Sequence, residues 1–135
     1  MKLLLTLLVI LLTFSAFVSA EEAYFAFKTH GSKHDFVFKL TDLNKIEMAR
    51  DILSGKETEN THVMGRIKLK GKDYNPHYSF HLDPDQTSFF KFAIEVCDAT
   101  LQYAEENIDE VGGAFLPGNI FCPWSSQLTK EVKIK

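Results

Sequence analysis

The sequence predicts an α+β domain: an antiparallel sheet of about five to six strands, two helices packed on it, and one disulfide. Three observations carry this. Short apolar runs alternate with polar residues at a period of two, the spacing of half-buried strands. Two longer segments, 43–53 and 101–111, repeat their apolar positions at the spacing of one helical face. Among 135 residues there are only two cysteines, Cys97 and Cys122.

The length allows one domain. With 12 Phe and 13% aromatic residues the chain is far too apolar to be disordered. Its 15 basic residues against 18 acidic ones, at net charge −3, argue against a nucleic-acid partner bound by phosphate neutralisation. The first twenty residues stand apart. Lys2 precedes a nearly continuous aliphatic run from Leu3 to Val18, and Val18-Ser19-Ala20 offers small residues ahead of Glu21-Glu22. This pattern predicts a secretory signal peptide over 1–20, cleaved after Ala20, and a single extracellular domain over 21–135. No later stretch is apolar enough to span a bilayer.

The elements follow in order. Ala23, Phe25 and Phe27 face one way in a first strand; Phe36, Phe38 and Leu40 do so in a second, and His30-Gly31-Ser32-Lys33 turns between them. Thr41 or Asp42 caps a helix whose buried face is Leu43, Ile46, Ala49, Ile52 and Leu53, and Gly55 ends it. Val63, Gly65, Ile67 and Leu69 form a third strand with Met64, Arg66, Lys68, Lys70 and Lys72 as a basic outer stripe. That stripe reads as a solvated face, or as an edge strand guarded by lysines. Tyr78, Phe80 and Leu82 make a fourth strand, ended by Asp83-Pro84-Asp85. Phe90, Phe92, Ile94 and Val96 make a fifth, although a helix also fits the spacing over 87–97. Asp98 or Thr100 caps a second helix carrying Leu101, Ala104, Ile108 and Val111, terminated by Gly112-Gly113. Leu128, Val132 and Ile134 suggest a last strand. The expected core is Phe25, Phe27, Phe36, Phe38, Leu40, Ile46, Ala49, Ile52, Leu53, Val63, Ile67, Phe80, Phe90, Phe92, Ile94, Val96, Leu101, Ala104 and Ile108.

An oxidising secretory lumen predicts that Cys97 and Cys122 pair, stabilising the fold by roughly 3 kcal/mol. The remaining chemistry is thin. His77 and His81, on one face of the expected fourth strand, stand roughly 13 Å apart, too far to share a metal. His81, Asp83 and Asp85 are the weak metal candidates, since they lack the spacing of a calcium loop. No nucleophile sits beside an activating base in the sequence, so no catalytic residue and no cofactor are expected. The acidic run Glu105, Glu106, Asp109 and Glu110 reads as a solvated helix face. The unusual stretches are apolar loops. Phe115, Leu116 and Trp124, in the loop that holds Cys122, and Tyr74 and Tyr78, around Asn75-Pro76, are the candidate partner surface.

Several longer stretches carry a family likeness. They are Phe36-Val37-Phe38-Lys39-Leu40-Thr41-Asp42, Ala49-Arg50-Asp51-Ile52-Leu53-Ser54-Gly55, His62-Val63-Met64-Gly65-Arg66-Ile67 and Ser79-Phe80-His81-Leu82-Asp83-Pro84-Asp85. The most specific are Ala93-Ile94-Glu95-Val96-Cys97-Asp98-Ala99, Gly112-Gly113-Ala114-Phe115-Leu116-Pro117-Gly118 and Cys122-Pro123-Trp124-Ser125-Ser126. Together they resemble the N-terminal domain of the cyclic-AMP-inducible prespore protein family of social amoebae, a domain also seen in bacterial and fungal secreted proteins. That family commonly has Pro after Thr-Asp and Trp near Tyr78; here Leu43 and His77-Tyr78 stand there. The resemblance implies an extracellular or cell-surface module, matches both cysteines and brings no catalytic residue.

The reading is therefore a small secreted, non-enzymatic binding module. Its partner is expected to be an extracellular or cell-surface protein or glycan. One rival is a protease inhibitor presenting the 113–123 loop. Another is a small hydrolase using His81, Asp83 and Glu95.

Overall fold

The computed structural model describes residues 21–134. The expected signal peptide over 1–20 lies outside these residues. The fold is mixed α+β with two α-helices and one disulfide, but eight short strands share three sheets where one sheet of five to six was expected.

The first sheet has the order β2-β1-β8, from β1 (Ala23–Lys28), β2 (Phe36–Leu40) and β8 (Gln127–Val132). The hairpin between β1 and β2 is antiparallel with Phe25 opposite Phe38, so like-facing phenylalanines stack across strands. Its turn is built by side chains. The Thr29 N–H donates to Ser32 Oγ at 2.9 Å, and Gly31 takes the left-handed conformation at φ 76°. Thr29 Oγ1 then accepts from the Leu101 N–H at 2.9 Å, which ties the hairpin to the start of the second helix.

Helix α1 (Leu43–Ser54) begins at Asp42, whose carboxylate accepts from the Asn44 N–H, and ends at Gly55 in the left-handed region, as expected. Ile46 and Ala49 are fully buried on its inner face.

The second sheet has the order β4-β3-β7, from β3 (His62–Lys68), β4 (His81–Phe90) and β7 (Ile120–Phe121). Both neighbours pair antiparallel with β3. β3 is thus the central strand, and its lysines do not guard an edge. Two expected strands are replaced by β4. Residues 73–80 form turns, so His77 is not on a strand, and Asp83-Pro84-Asp85 lies within β4 as an irregularity. There the Thr87 hydroxyl donates to the Asp83 carbonyl at 2.7 Å, and the Asp85 N–H donates to Asp83 Oδ1.

The expected fifth strand does not form, and neither does a helix over 87–97. Phe90 pairs with His62, the first residue of β3. Beyond Phe90 the ladder has no partner, so the chain leaves the sheet and makes only a 3-10 turn at Glu95–Cys97. Phe92, Ile94 and Val96, expected in the core, are exposed; Phe92 keeps 85% of its surface in solvent. Phe89 and Leu82 take the inward positions instead.

Helix α2 (Leu101–Glu106) is capped by Thr100, which accepts from the Tyr103 N–H, and is shorter than expected. A 3-10 turn at Ile108–Glu110 continues it. β5 (Val111–Gly112) and β6 (Phe115–Pro117) then pair parallel as the third sheet.

The core lies between the sheets. Phe36 meets Phe80 with ring centroids 5.1 Å apart, Phe38 meets Phe89 at 6.4 Å, and Phe80 meets Phe121 at 6.4 Å. Ile52, Leu53 and Ile108 pack at its margin, only partly buried. Asn75, wholly buried, stitches its loop to the edge of β2: its Oδ1 accepts from Val37 N–H at 2.8 Å and its Nδ2 donates to the Phe80 carbonyl at 3.2 Å.

Candidate contact face around the disulfide

Cys97 and Cys122 are joined, with Cα atoms 5.1 Å apart, and the Cys122 N–H donates to the Cys97 carbonyl at 2.7 Å. The bond sits on the outer side of the second sheet. Phe90, buried there, forms a small separate cluster with the two half-cystines, against which Met64 and Ala93 pack. Register explains this: His62, Met64, Arg66 and Lys68 share the outer face of β3, opposite the buried Val63, Gly65 and Ile67. Met64, the first of the expected basic stripe, is thus covered. Arg66, Lys68, Lys70 and Lys72 remain exposed.

After Cys122 the chain turns back tightly. The Ser126 hydroxyl donates to the Pro123 carbonyl at 2.6 Å and accepts from the Val63 N–H at 2.8 Å. The Trp124 N–H donates to Asp98 Oδ1 at 2.8 Å. Asp98 therefore holds this turn and does not cap α2. Trp124 itself is 42% exposed. On one side it borders a shallow recess with His62, Phe90, Lys91, Phe92 and Ala93; on the other, a second recess with Thr100, Tyr103 and Phe115. Tyr103 and Phe115 meet edge to face, centroids 5.3 Å apart. The face thus brings exposed Phe92, Ile94, Val96, Trp124 and Tyr103 around one disulfide.

Of the residues expected on a partner surface, Trp124 and half-buried Phe115 lie here. Leu116 is fully buried: at φ 47° its side chain turns into the core, so it offers no contact. Tyr74 and Tyr78 lie elsewhere and are half-buried. Tyr78 donates its hydroxyl to the His34 carbonyl at 2.7 Å, and burial raises the pKa of both phenols. Beside Tyr78 the His34 and His77 rings stack 3.8 Å apart and nearly parallel, a pairing of two loops that no sequence spacing announces.

The 113–123 loop is stitched down along most of its length. The Ile67 N–H donates to the Asn119 carbonyl at 2.8 Å, the Asn119 side chain donates to the Ile67 carbonyl, and Phe121 and Cys122 are buried. Gly112, at φ 93°, stands where any Cβ would overlap Asn119 Oδ1. Only Gly112, Gly113 and Ala114 form an exposed run of three.

His81, Asp83 and Asp85 have separate engagements. His81 is buried with Nδ1 2.6 Å from the Lys70 carbonyl, which can only accept, so Nδ1 carries the hydrogen. Asp83 faces Lys68 at 3.9 Å, and Asp85 accepts from the Thr41 hydroxyl at 3.1 Å. Among the described residues no group of three or more His, Cys, Asp or Glu is arranged to hold a metal ion. Glu105 of the acidic run is not merely solvated, because its two oxygens accept from the N–H and hydroxyl of Ser79 at 2.8 and 2.7 Å.

A family model for the N-terminal domain of a Dictyostelium cyclic-AMP-inducible prespore protein matches residues 21–135, a span that takes in the whole of the fold just described. The chain belongs to this prespore-protein N-terminal domain family. The family expected from the sequence stretches is therefore the one found. No curated protein and no solved structure matches the chain.

Sequence reasoning missed Phe92, Ile94 and Val96 as surface residues. Period two is shared by a buried strand and by an extended loop, and the sequence does not say where the neighbouring strand runs out. The available signal was Cys97, which draws this segment to Cys122.

Proposed function

We propose that the chain is a small secreted, non-enzymatic binding module whose contact face is the apolar corner around Cys97–Cys122. The observation that carries the reading is the exposure of Phe92, Ile94, Val96 and Trp124 beside one disulfide. Soluble domains rarely leave large apolar side chains contiguous in water without a partner to cover them. The corner is anchored at both ends, so little ordering cost opposes binding. The polar candidates for chemistry are each engaged elsewhere in the fold, which favours binding over catalysis. Secretion is supported by the leader pattern and by a family match that begins at Glu21, where cleavage would leave the chain. In the described residues no helix is long and apolar enough to cross a membrane.

The test is capture of partners from extracellular and cell-surface fractions by oxidised residues 21–135. Capture should fall at least tenfold in a Phe92→Ser, Ile94→Ser variant, a loss typical of interface anchors. A protein that binds nothing there, or binds equally well with the variant, overturns the reading.

A further inference from the structure

We propose that the segment Lys91–Val96 is a membrane-contact loop, which seats Phe92 and Ile94 in the interfacial zone of an anionic phospholipid bilayer. The proposal rests on the contact face described above and names its partner.

The loop projects and does not line a groove. Phe92 is 85% exposed and Ile94 71%, so the surrounding fold covers neither and no concave wall exists for a complementary knob. Such side chains suit a medium that closes around them, as acyl chains do. The loop is nonetheless held. Phe90 is buried at its start, Ala93 packs on the disulfide cluster midway, and Cys97 is bonded at its end. Phe92, Ile94 and Val96 are thereby presented outward from a fixed base.

The flanking groups are those of an interfacial anchor. Lys91 Nζ lies 5.4 Å from the centre of the Phe92 ring, and Trp124 borders the same recess as both. Aromatic rings and lysines at the rim of an apolar element are the side chains that settle at headgroup depth. Farther along the outer face of β3 stand Arg66, which makes no ion pair among the described residues, and Lys68, which faces Asp83. The acidic groups on or beside the loop are Glu95, exposed between Ile94 and Val96, and Glu59, which pairs with Lys91 at 3.4 Å. Anionic headgroups would compete with Glu59 for Lys91 and meet Arg66 directly. From Phe92 to Val96 the loop offers no hydrogen-bonding side chain besides Glu95. A specific protein interface ordinarily spaces polar contacts around its anchors, whereas a bilayer needs only apolar side chains and cations.

The chain has a single tryptophan, and it stands beside this loop. Oxidised residues 21–135, free of the apolar leader, are mixed with vesicles of phosphatidylcholine alone or of phosphatidylcholine with phosphatidylserine. Co-sedimentation with the mixed vesicles and a blue shift of Trp124 emission are expected, both weakened by salt. Phe92→Ser with Ile94→Ser should reduce the bound fraction about tenfold or more with unchanged denaturation midpoint, because neither side chain supports the core. Lys91→Glu with Arg66→Glu should abolish the preference for phosphatidylserine. The proposal is overturned by absence of sedimentation with an unchanged spectrum, by binding indifferent to the serine variant, or by a dimer in sedimentation velocity that the serine variant disperses. If vesicles fail while extracellular capture still requires Phe92 and Ile94, only the lipid assignment falls. If capture fails too, the contact face itself is wrong.

Discussion

Arg50 grips Glu131 with two prongs: Nε and Nη2 donate to the two carboxylate oxygens at 3.0 Å each. The pair fastens α1 to β8, far apart in sequence, and Glu21 joins it through Arg50 Nη1 at 3.2 Å. The Arg50 hydrogen bonds hold the Glu131 carboxyl below the ordinary glutamate value of 4.5, against a smaller opposing push from burial. A carboxylate with a lowered folded-state pKa contributes stability above its ordinary value, lost as pH falls through the folded one. Glu131→Gln should therefore lower stability at neutral pH, modestly because the pair is partly solvated. The deficit should shrink as pH falls below about 4.5. Urea unfolding at pH 7 and pH 3 checks this; an equal deficit at both would refute it.

Phe38 and Phe92 separate the core from the contact face. Phe38 is fully buried and touches Phe25, Phe27 and Phe89, while Phe92 touches chiefly solvent. Phe38→Ala should cost about 3–5 kcal/mol by opening a cavity, and Phe92→Ala less than about 0.5 kcal/mol. Chemical denaturation measures both. A large loss for Phe92→Ala would return residues 90–96 to a core strand.

Removing the disulfide should act first on the corner it holds. Cys97→Ala with Cys122→Ala should reduce stability by roughly 2–4 kcal/mol. Amide hydrogen exchange should quicken over residues 91–98 and 121–126 while β1 and β2 stay protected, because the bridge cluster is separate from the main core. Uniform acceleration across both sheets would show that the bridge supports the whole fold.

Asn75 is the polar residue on which one sheet edge depends. It satisfies the Val37 N–H and the Phe80 carbonyl from a fully buried position. Asn75→Ala should leave both unpaired and cost about 2–4 kcal/mol. Asn75→Asp keeps the acceptor but loses the donor, and should fall between at neutral pH only if its charge is tolerated. Thermal unfolding of both variants tests the assignment, and a loss under about 0.5 kcal/mol for alanine would remove it.

The α+β class, the first hairpin, α1 with its Asp42 cap and Gly55 stop, the Thr100 cap, most of the aromatic core, the cysteine pair and the family were all legible in the sequence. Apart from the family, which rests on the longer stretches, each follows from local physics: alternation, capping chemistry, left-handed glycine, or the count of two thiols. What lay beyond it depends on which strand meets which. Phe90 ends β4 because His62 begins β3, and that places Phe92, Ile94 and Val96 in solvent although their spacing is that of a strand. Leu116 goes inward because its backbone turns left-handed between two short ladders. Trp124 becomes a surface residue because Asp98 and Ser126 fix the turn around it. Alternation records that a segment is extended; only the partner across the ladder decides which of its faces is covered.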